Sequence, residues 1–299
     1  TKIAQVLLRD YSESIRSVVM DSPLPLESNY DEVSVTNLYE AIGKLLDDCE
    51  SSPDCANRFP ELRNRFFDFL ISTNQKPLEL SVTHPNDSTE VIVKLKGKDL
   101  ITVFSDASTS DIPKVPLEID KLLNGDYTLI EARLAALFQA PDKGDGKGMR
   151  LSVWCAEEFP FADKKVVAEQ KNRYPELRGL SAAVFSKEVC NIWNVKRVDD
   201  IENKPVSSDV PVLLISGEYD ENTPPYFAEM LSDNFTNSFH LMFKGWKHGP
   251  ITNWGNPCAM SCANAFFNNP LKRPNLECFE QIKQPVFITE SLQDKMPNE

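Results

Sequence analysis

The fold class predicted by this sequence is α/β: a parallel sheet with a large, mainly helical insertion. Three observations carry it. A β-branched run from Ile15 to Met20 follows an N-terminal helical pattern directly. A second apolar run, Val210 to Ile215 in "VPVLLISGEYDENTPP", is uninterrupted and ends in glycine, acids and a double proline. The long stretch between the two has mostly helical periodicity. An unbroken apolar strand is what a parallel sheet covered on both faces requires, and the polar segment after it is a working loop at the strand's C-terminal end.

Taken in order, Thr1 to Tyr11 predicts a helix with Ile3, Val6, Leu7 and Tyr11 on its apolar face, and "SIRSVVMDSPLP" predicts a buried strand running into a loop. From about Glu27 to Gln139 the pattern is that of cover helices. "NLYEAIGKLLDDC" sets Leu38, Ile42, Leu45 and Leu46 on one side, and "ELRNRFFDFLIS" sets Leu62, Phe66, Phe69 and Leu70 likewise. "PLELSV" and "EVIVKLKGKDLITVF" read as a hairpin, with Gly97 turning the chain, and helices follow over Pro116 to Leu123 and Tyr127 to Phe138. "PDKGDGKGM" lacks the Lys-Ser/Thr ending of a phosphate cradle and follows a helix, so it is a connector. "MRLSVWCAEE" is a strand candidate, and "KNRYPELRGLSAAVFSKEVCNIWNV" reads as helical. Beyond "NKPVSSD" come the central strand, the helix "AEMLSDNF", the strand and loop "SFHLMFKGWKHG" and the closing helix "CAMSCANAFFNN".

Composition excludes several functions. The 299 residues carry 45 acidic and 32 basic side chains, a net charge of -13 that repels a phosphate backbone, so no nucleic-acid partner is expected. No apolar stretch is long enough for a membrane span, and the first residues include Lys2, Arg9, Asp10, Glu13 and Arg16 where an export signal would be apolar. The seven cysteines read either as free buried thiols or as disulfides, with one thiol left over. "CESSPDC" favours a local bridge between Cys49 and Cys55, because its polar residues have no reason to be packed inside. No CxxC pair occurs, and His84, His240 and His248 are scattered, which argues against a metal. Disulfides would imply an oxidising compartment, secreted or periplasmic, and hence a natural N-terminus upstream of Thr1.

The chemistry centres on Asp220 and His248. Strand, loop with Asp220, helix, strand, loop with His248 is an order that brings an acid and an imidazole to adjacent strand ends. A carboxylate that fixes the tautomer of an imidazole, which in turn takes a proton from a hydroxyl, is the arrangement of nucleophilic hydrolysis. His84 reads as a surface residue and His240 as a structural one; Trp246 and Trp254 flank the His248 loop as candidates to line a substrate pocket.

"VPVLLISGEYDENTPP" and "KGWKHG", together with "RSVVMDSPLP", "CESSPDC", "SVWCAEEFPF" and "NPCAMSCANAFFNNP", resemble the tripeptidyl and prolyl aminopeptidase branch of the α/β-hydrolase fold over nearly the whole chain. The resemblance implies that Asp220 is the triad acid and His248 the base. It also implies that residues 1–26 and 205–299 form the C-terminal portion of the hydrolase sheet, with residues 27–204 as a helical cap. Glu157, four residues before Phe161, would hold the free α-amine of a peptide, with Glu158 as the alternative acid. The implied disulfides are Cys49–Cys55, Cys155–Cys190 and Cys258–Cys278, leaving Cys262 as the spare thiol, and no metal or organic cofactor is implied.

One departure stands out. The family's serine lies in a G-x-S-x-G elbow just before a helix resembling "TKIAQVLLRDY", whereas the glycine pairs with that separation here are Gly144 and Gly148, with Gly146 between them, and Gly245 and Gly249, with Lys247 between them. The resemblance therefore implies a serine on a segment upstream of Thr1, associated with this chain, which alone would be inactive. A parallel sheet starting after that helix would expose a strand edge and a helix face. The expected activity is release of short peptides or a proline-adjacent residue from a free N-terminus. The alternatives are an esterase with the same triad and a non-catalytic binding protein that keeps the fold without the nucleophile.

Overall fold

The computed structural model describes residues 1–84, 87–139, 147–181, 184–252 and 255–290. Among them five strands form two sheets: β1 (Val18–Asp21), β2 (Leu78–Thr83), β3 (Glu90–Leu95), β4 (Val212–Gly217) and β5 (Ser238–Phe243). The chain divides into two compact units. One comprises Thr1–Ala41, Met149–Val167 and Ala182–Pro285; the other comprises Ile42–Gly148, Ala168–Ser181 and Val286–Glu299.

The first unit contains the parallel sheet, in the order β1-β4-β5. Val18 pairs with Val212 and Asp21 with Ile215 on one side, and Val212 with Ser238 and Gly217 with Phe243 on the other. Every residue of β4 is buried, as a central strand covered on both faces must be. Alternation along β4 sorts its side chains. Val212 and Leu214 join Leu8, Met20, Ala228, Leu231 and Phe235 on one face; Leu213 and Ile215 join Leu241, Phe243, Ala259, Cys262 and Phe266 on the other. Helices Lys2–Asp10 and Pro225–Asn234 cover the first face and helix Pro257–Asn268 the second. This unit also takes in residues 27–41, 149–167 and 184–204.

The N-terminal helix differs from its sequence reading. Ile3 is 77% exposed and Tyr11 62%, while Gln5 and Leu8 point inward. Gln5 earns its buried place because its amide donates to the Leu24 carbonyl at 2.8 Å and accepts from the Leu26 amide at 3.0 Å, closing the loop after β1. The expected strand at "MRLSVWCAEE" is helical: Lys147–Val153 continues into a wide π turn over Trp154–Glu158, with the Phe159 amide donating to the Trp154 carbonyl at 2.9 Å. That widened turn buries both Cys155 and Glu158. The run after Arg173 is not one helix either. Tyr174 is extended before Pro175, Gly179 has a φ of 89°, and helix Lys187–Trp193 starts afresh, capped by the Ser186 hydroxyl.

In the second unit, helices Leu62–Gln75 and Gly97–Ser105 meet through Phe66 and Phe104, whose ring centroids are 5.5 Å apart edge to face. β2 and β3 pair antiparallel, Leu80 opposite Val93, with Leu80, Val82 and Leu95 turned inward. Gly97 does not make the hairpin turn; it opens the following helix, where a Cβ would collide with the carbonyl oxygens of Leu70 and Glu176. The "CESSPDC" segment is also less loop-like than it reads: it runs from the end of helix Tyr30–Ser51 into helix Pro53–Arg58, and both cysteines are buried.

The structure contains three disulfides: Cys49–Cys55, Cys155–Cys190 and Cys258–Cys278. Cys262 is a buried free thiol. Among the described residues no helix is long and apolar enough to cross a membrane.

Candidate active site

The site lies at the C-terminal ends of β4 and β5, within the first unit. Backbone contacts draw the two loops together: the Glu218 amide donates to the Phe243 carbonyl at 3.1 Å and the Tyr219 amide to the Trp246 carbonyl at 2.9 Å. Gly217 permits this approach, since a Cβ there would strike the carbonyl oxygens of Trp246 and Lys247. Side chains add two latches. Glu218 accepts from the Gly245 amide at 2.9 Å and from Gln284 at 2.7 Å, and Lys247 pairs with Glu221 at 3.1 Å.

Inside this frame the Asp220 carboxylate is fully buried. Its Oδ1 accepts from the Asn222 and Thr223 amides, each at 2.9 Å, and its Oδ2 accepts from the Thr223 hydroxyl at 2.8 Å and from His248 Nδ1 at 2.9 Å. A carboxylate with that many donors is held in one orientation. Because the carboxylate accepts, the geometry assigns the proton on the imidazole to Nδ1 and leaves Nε2 as the basic nitrogen. The His248 side chain is 49% exposed, so its ring spans from the buried acid to solvent. The hydrogen bond to Asp220 pushes the pKa of His248 up from 6.5, against the opposing effect of burial, and Glu221 and Asp21 add to the rise.

The structure thus unites the two residues singled out for chemistry. The others are distributed around them. Glu158 is engaged: it forms an ion pair with Lys2, accepts from the Tyr30 amide at 3.3 Å and is 3% exposed. Glu157 lines a cavity of about 630 Å³ with Lys196, Arg197, Asp199, Asp200 and Glu202, and burial raises its pKa. Tyr30 links this acidic turn to the acid loop, its hydroxyl donating to Asn222 Oδ1 at 3.0 Å and its ring meeting Trp154 edge to face at 5.4 Å. Trp246 is partly buried against the sheet core; Trp254 and the Gly144–Gly146 connector lie outside the described residues. His240 bonds through Nε2 to Ser216 at 2.7 Å, and its pKa is lowered by burial. His84 lies 3.2 Å from Asp87.

Sequence reasoning missed Thr223, Glu221 with Lys247, Tyr30 and Asp21. Thr223 was within reach, because an Asp followed two and three residues later by Asn and Thr is an Asx-type turn signal. For the others there was no local signal. As for a metal, the sulfurs of Cys258, Cys262 and Cys278 lie within 4.8 Å of one another, but two of them are joined as a disulfide, leaving one thiol to act as a ligand.

Residues 179–278, which carry both Asp220 and His248, match the model of an α/β-hydrolase family over about a third of the chain. The family whose model they match is described as TAP-like protein, consistent with the tripeptidyl aminopeptidase branch. No curated protein matches the chain.

Proposed function

We propose that Asp220 and His248 are the acid and base of a serine hydrolase of aminopeptidase type, the nucleophilic hydroxyl coming from a polypeptide segment outside these 299 residues. The single observation that carries the reading is the 2.9 Å bond from His248 Nδ1 to a fully buried, multiply hydrogen-bonded carboxylate on a half-exposed ring. The sequence contains no G-x-S-x-G, which supports a hydroxyl supplied from elsewhere. In the reaction Nε2 of His248 takes the proton of the hydroxyl as its oxygen bonds to the substrate carbonyl carbon. The resulting imidazolium gives that proton to the leaving amine as the peptide bond breaks, and water then repeats the cycle on the acyl-enzyme. Asp220 holds the tautomer and stabilises the imidazolium.

The preference for free N-termini rests on Glu157, which would pair with the substrate ammonium, a cation an internal peptide bond lacks. Glu158, already paired with Lys2, leaves that role to its neighbour. The disulfides support an oxidising compartment, secreted or periplasmic. The test uses the full-length gene product containing this chain. Labelling by a fluorophosphonate probe on a serine outside residues 1–299, lost in His248→Gln, is the expected result. Equal turnover of N-acetylated and free peptides would remove the aminopeptidase assignment and leave the esterase. No labelling and no hydrolysis would favour a binding protein, the reading that the missing G-x-S-x-G also permits.

A further inference from the structure

We infer that Asp21 and Ser22, at the C-terminal end of β1, are positioning residues for His248: they clamp the loop that follows it and set a second carboxylate against the neighbouring Gly249. The inference rests on His248 being the base. The contacts come from a strand that carries neither member of the acid–base pair. Asp21 Oδ2 accepts from the Ile251 and Thr252 amides, each at 3.0 Å, and the Ser22 hydroxyl accepts from the Gly249 amide at 2.8 Å. The residue directly after His248 is thus tied down, and so are the third and fourth.

Ser22 is held at a conformational cost. Ser22 has a φ of 50°, in the left-handed region that L side chains rarely occupy, and its amide donates to the Ile215 carbonyl at 2.8 Å. Gly249, with a φ of 73°, is the residue whose geometry this bond fixes. A methyl group added to Gly249 would lie 3.7 Å from Asp21 Oδ2, so the carboxylate sits against the residue that directly follows His248. Asp21 Oδ1 is buried and accepts no hydrogen bond from the described residues. A half-satisfied buried carboxylate is destabilising, and a neighbouring imidazolium is a compensation for it. The charged groups facing His248 are Asp220, Glu221 and Asp21, with Glu221 partly neutralised by Lys247. Asp21 is thereby the second acid acting on the ring that forms no ion pair with a lysine or arginine among the described residues.

The test is the titration of the His248 imidazole, followed by NMR in the full-length product and assigned by its loss in His248→Gln. Asp21→Asn keeps an acceptor for both loop amides and removes the charge. The expected result is a shift of the His248 midpoint, and of the acid limb of kcat/KM, to lower pH, with amide exchange at residues 251 and 252 within about threefold of the parent. Asp21→Ala is expected to speed that exchange about tenfold or more, the equivalent of one lost hydrogen bond. An unchanged midpoint in Asp21→Asn overturns the electrostatic role. Unchanged exchange in Asp21→Ala overturns the clamp, and if that variant does not fold, Ser22→Ala read at the Gly249 amide decides it. Asp220→Asn separates the two proposals. If it leaves the midpoint unmoved while Asp21→Asn shifts it, the acid–base assignment falls and the role of Asp21 stands.

Discussion

Asp220 and Glu221 are adjacent acids at the end of β4, and Glu157 and Glu158 are adjacent acids in the π turn. Within each pair, one carboxylate lies against a lysine: Glu221 with Lys247 at 3.1 Å, and Glu158 with Lys2. Those two are engaged in structure, because a permanent cation offsets much of the charge. Among the described residues the other two form no ion pair with a lysine, although Lys2 lowers the pKa of Glu157 at longer range. Asp220 is fully buried and meets backbone amides, a hydroxyl and an imidazole that can change its charge. Glu157 opens onto a polar cavity, its proton affinity raised by partial burial. What distinguishes a working carboxylate here from a structural one is the kind of partner, with depth of burial secondary.

The comparison breaks first at Asp220. Asp220→Asn in the assembled enzyme is expected to lower kcat by about 10⁴-fold, because the amide donates to Nδ1 and imposes the wrong tautomer; a loss under tenfold in steady-state assays would move Asp220 to the structural class. In the parent enzyme the base must be neutral. Since its pKa lies above the ordinary 6.5, kcat/KM is expected to fall as the pH drops through that raised value, and a profile flat down to pH 6 would contradict it.

Lys247→Met tests the structural class. Stranding the Glu221 carboxylate is expected to cost about 2 to 3 kcal/mol in urea unfolding, short of the full penalty for a buried pair, because the two side chains keep 11% and 16% of their exposure. The double variant Lys247→Met with Glu221→Leu should recover most of the loss. Glu157→Gln is expected to raise KM for peptides with a free N-terminus about tenfold or more, the range of one charged hydrogen bond, and to leave unfolding unchanged within about 0.5 kcal/mol. Equal effects on acetylated and free peptides would return Glu157 to the solvated surface.

The smallest expected effect lies in the pH dependence of stability. His248 is raised in the fold, so its pairing contributes fully below the unfolded value of 6.5 and is lost as pH rises through the folded value. His240 is lowered by burial, so its contribution is complete above 6.5 and is lost as pH falls toward the folded value. Between pH 5 and 8 the two oppose each other, and solvent screening of a half-exposed ring weakens the first. His240→Asn is expected to raise stability on the acid side relative to neutral pH by about 1 kcal/mol or less, measured as urea midpoints; a parallel downward shift at all pH values would show that only the bond to Ser216 was lost.

Much of the architecture around the site was legible in the sequence. The unbroken run before Gly217, and the acids and prolines after it, marked a covered parallel strand with a loop at its end. The spacing to "KGWKHG" placed the imidazole one strand over. The readings that failed did so where pattern meets an unusual partner. Ile3 and Leu7 form a helical stripe, yet Gln5 takes the inward position because two loop backbone groups need its amide. "MRLSVWCAEE" has the apolar content of a strand, but Arg150 lies over Trp154 at 5.5 Å, a spacing of one helical turn.

By itself the sequence determined the period of the central strand and of the cover helices, the order in which acid and base arrive at neighbouring strand ends, and the lack of a serine elbow, all of which are properties of short windows. The tertiary structure alone decided which acid in each pair is neutralised and which stays available. Those choices depend on contacts such as Lys2 with Glu158, 156 residues apart, and Asp21 with the Ile251 amide, 230 residues apart. A pattern of hydrophobicity says which way a side chain points, but Coulomb energy depends on what the fold brings within a few ångströms of it.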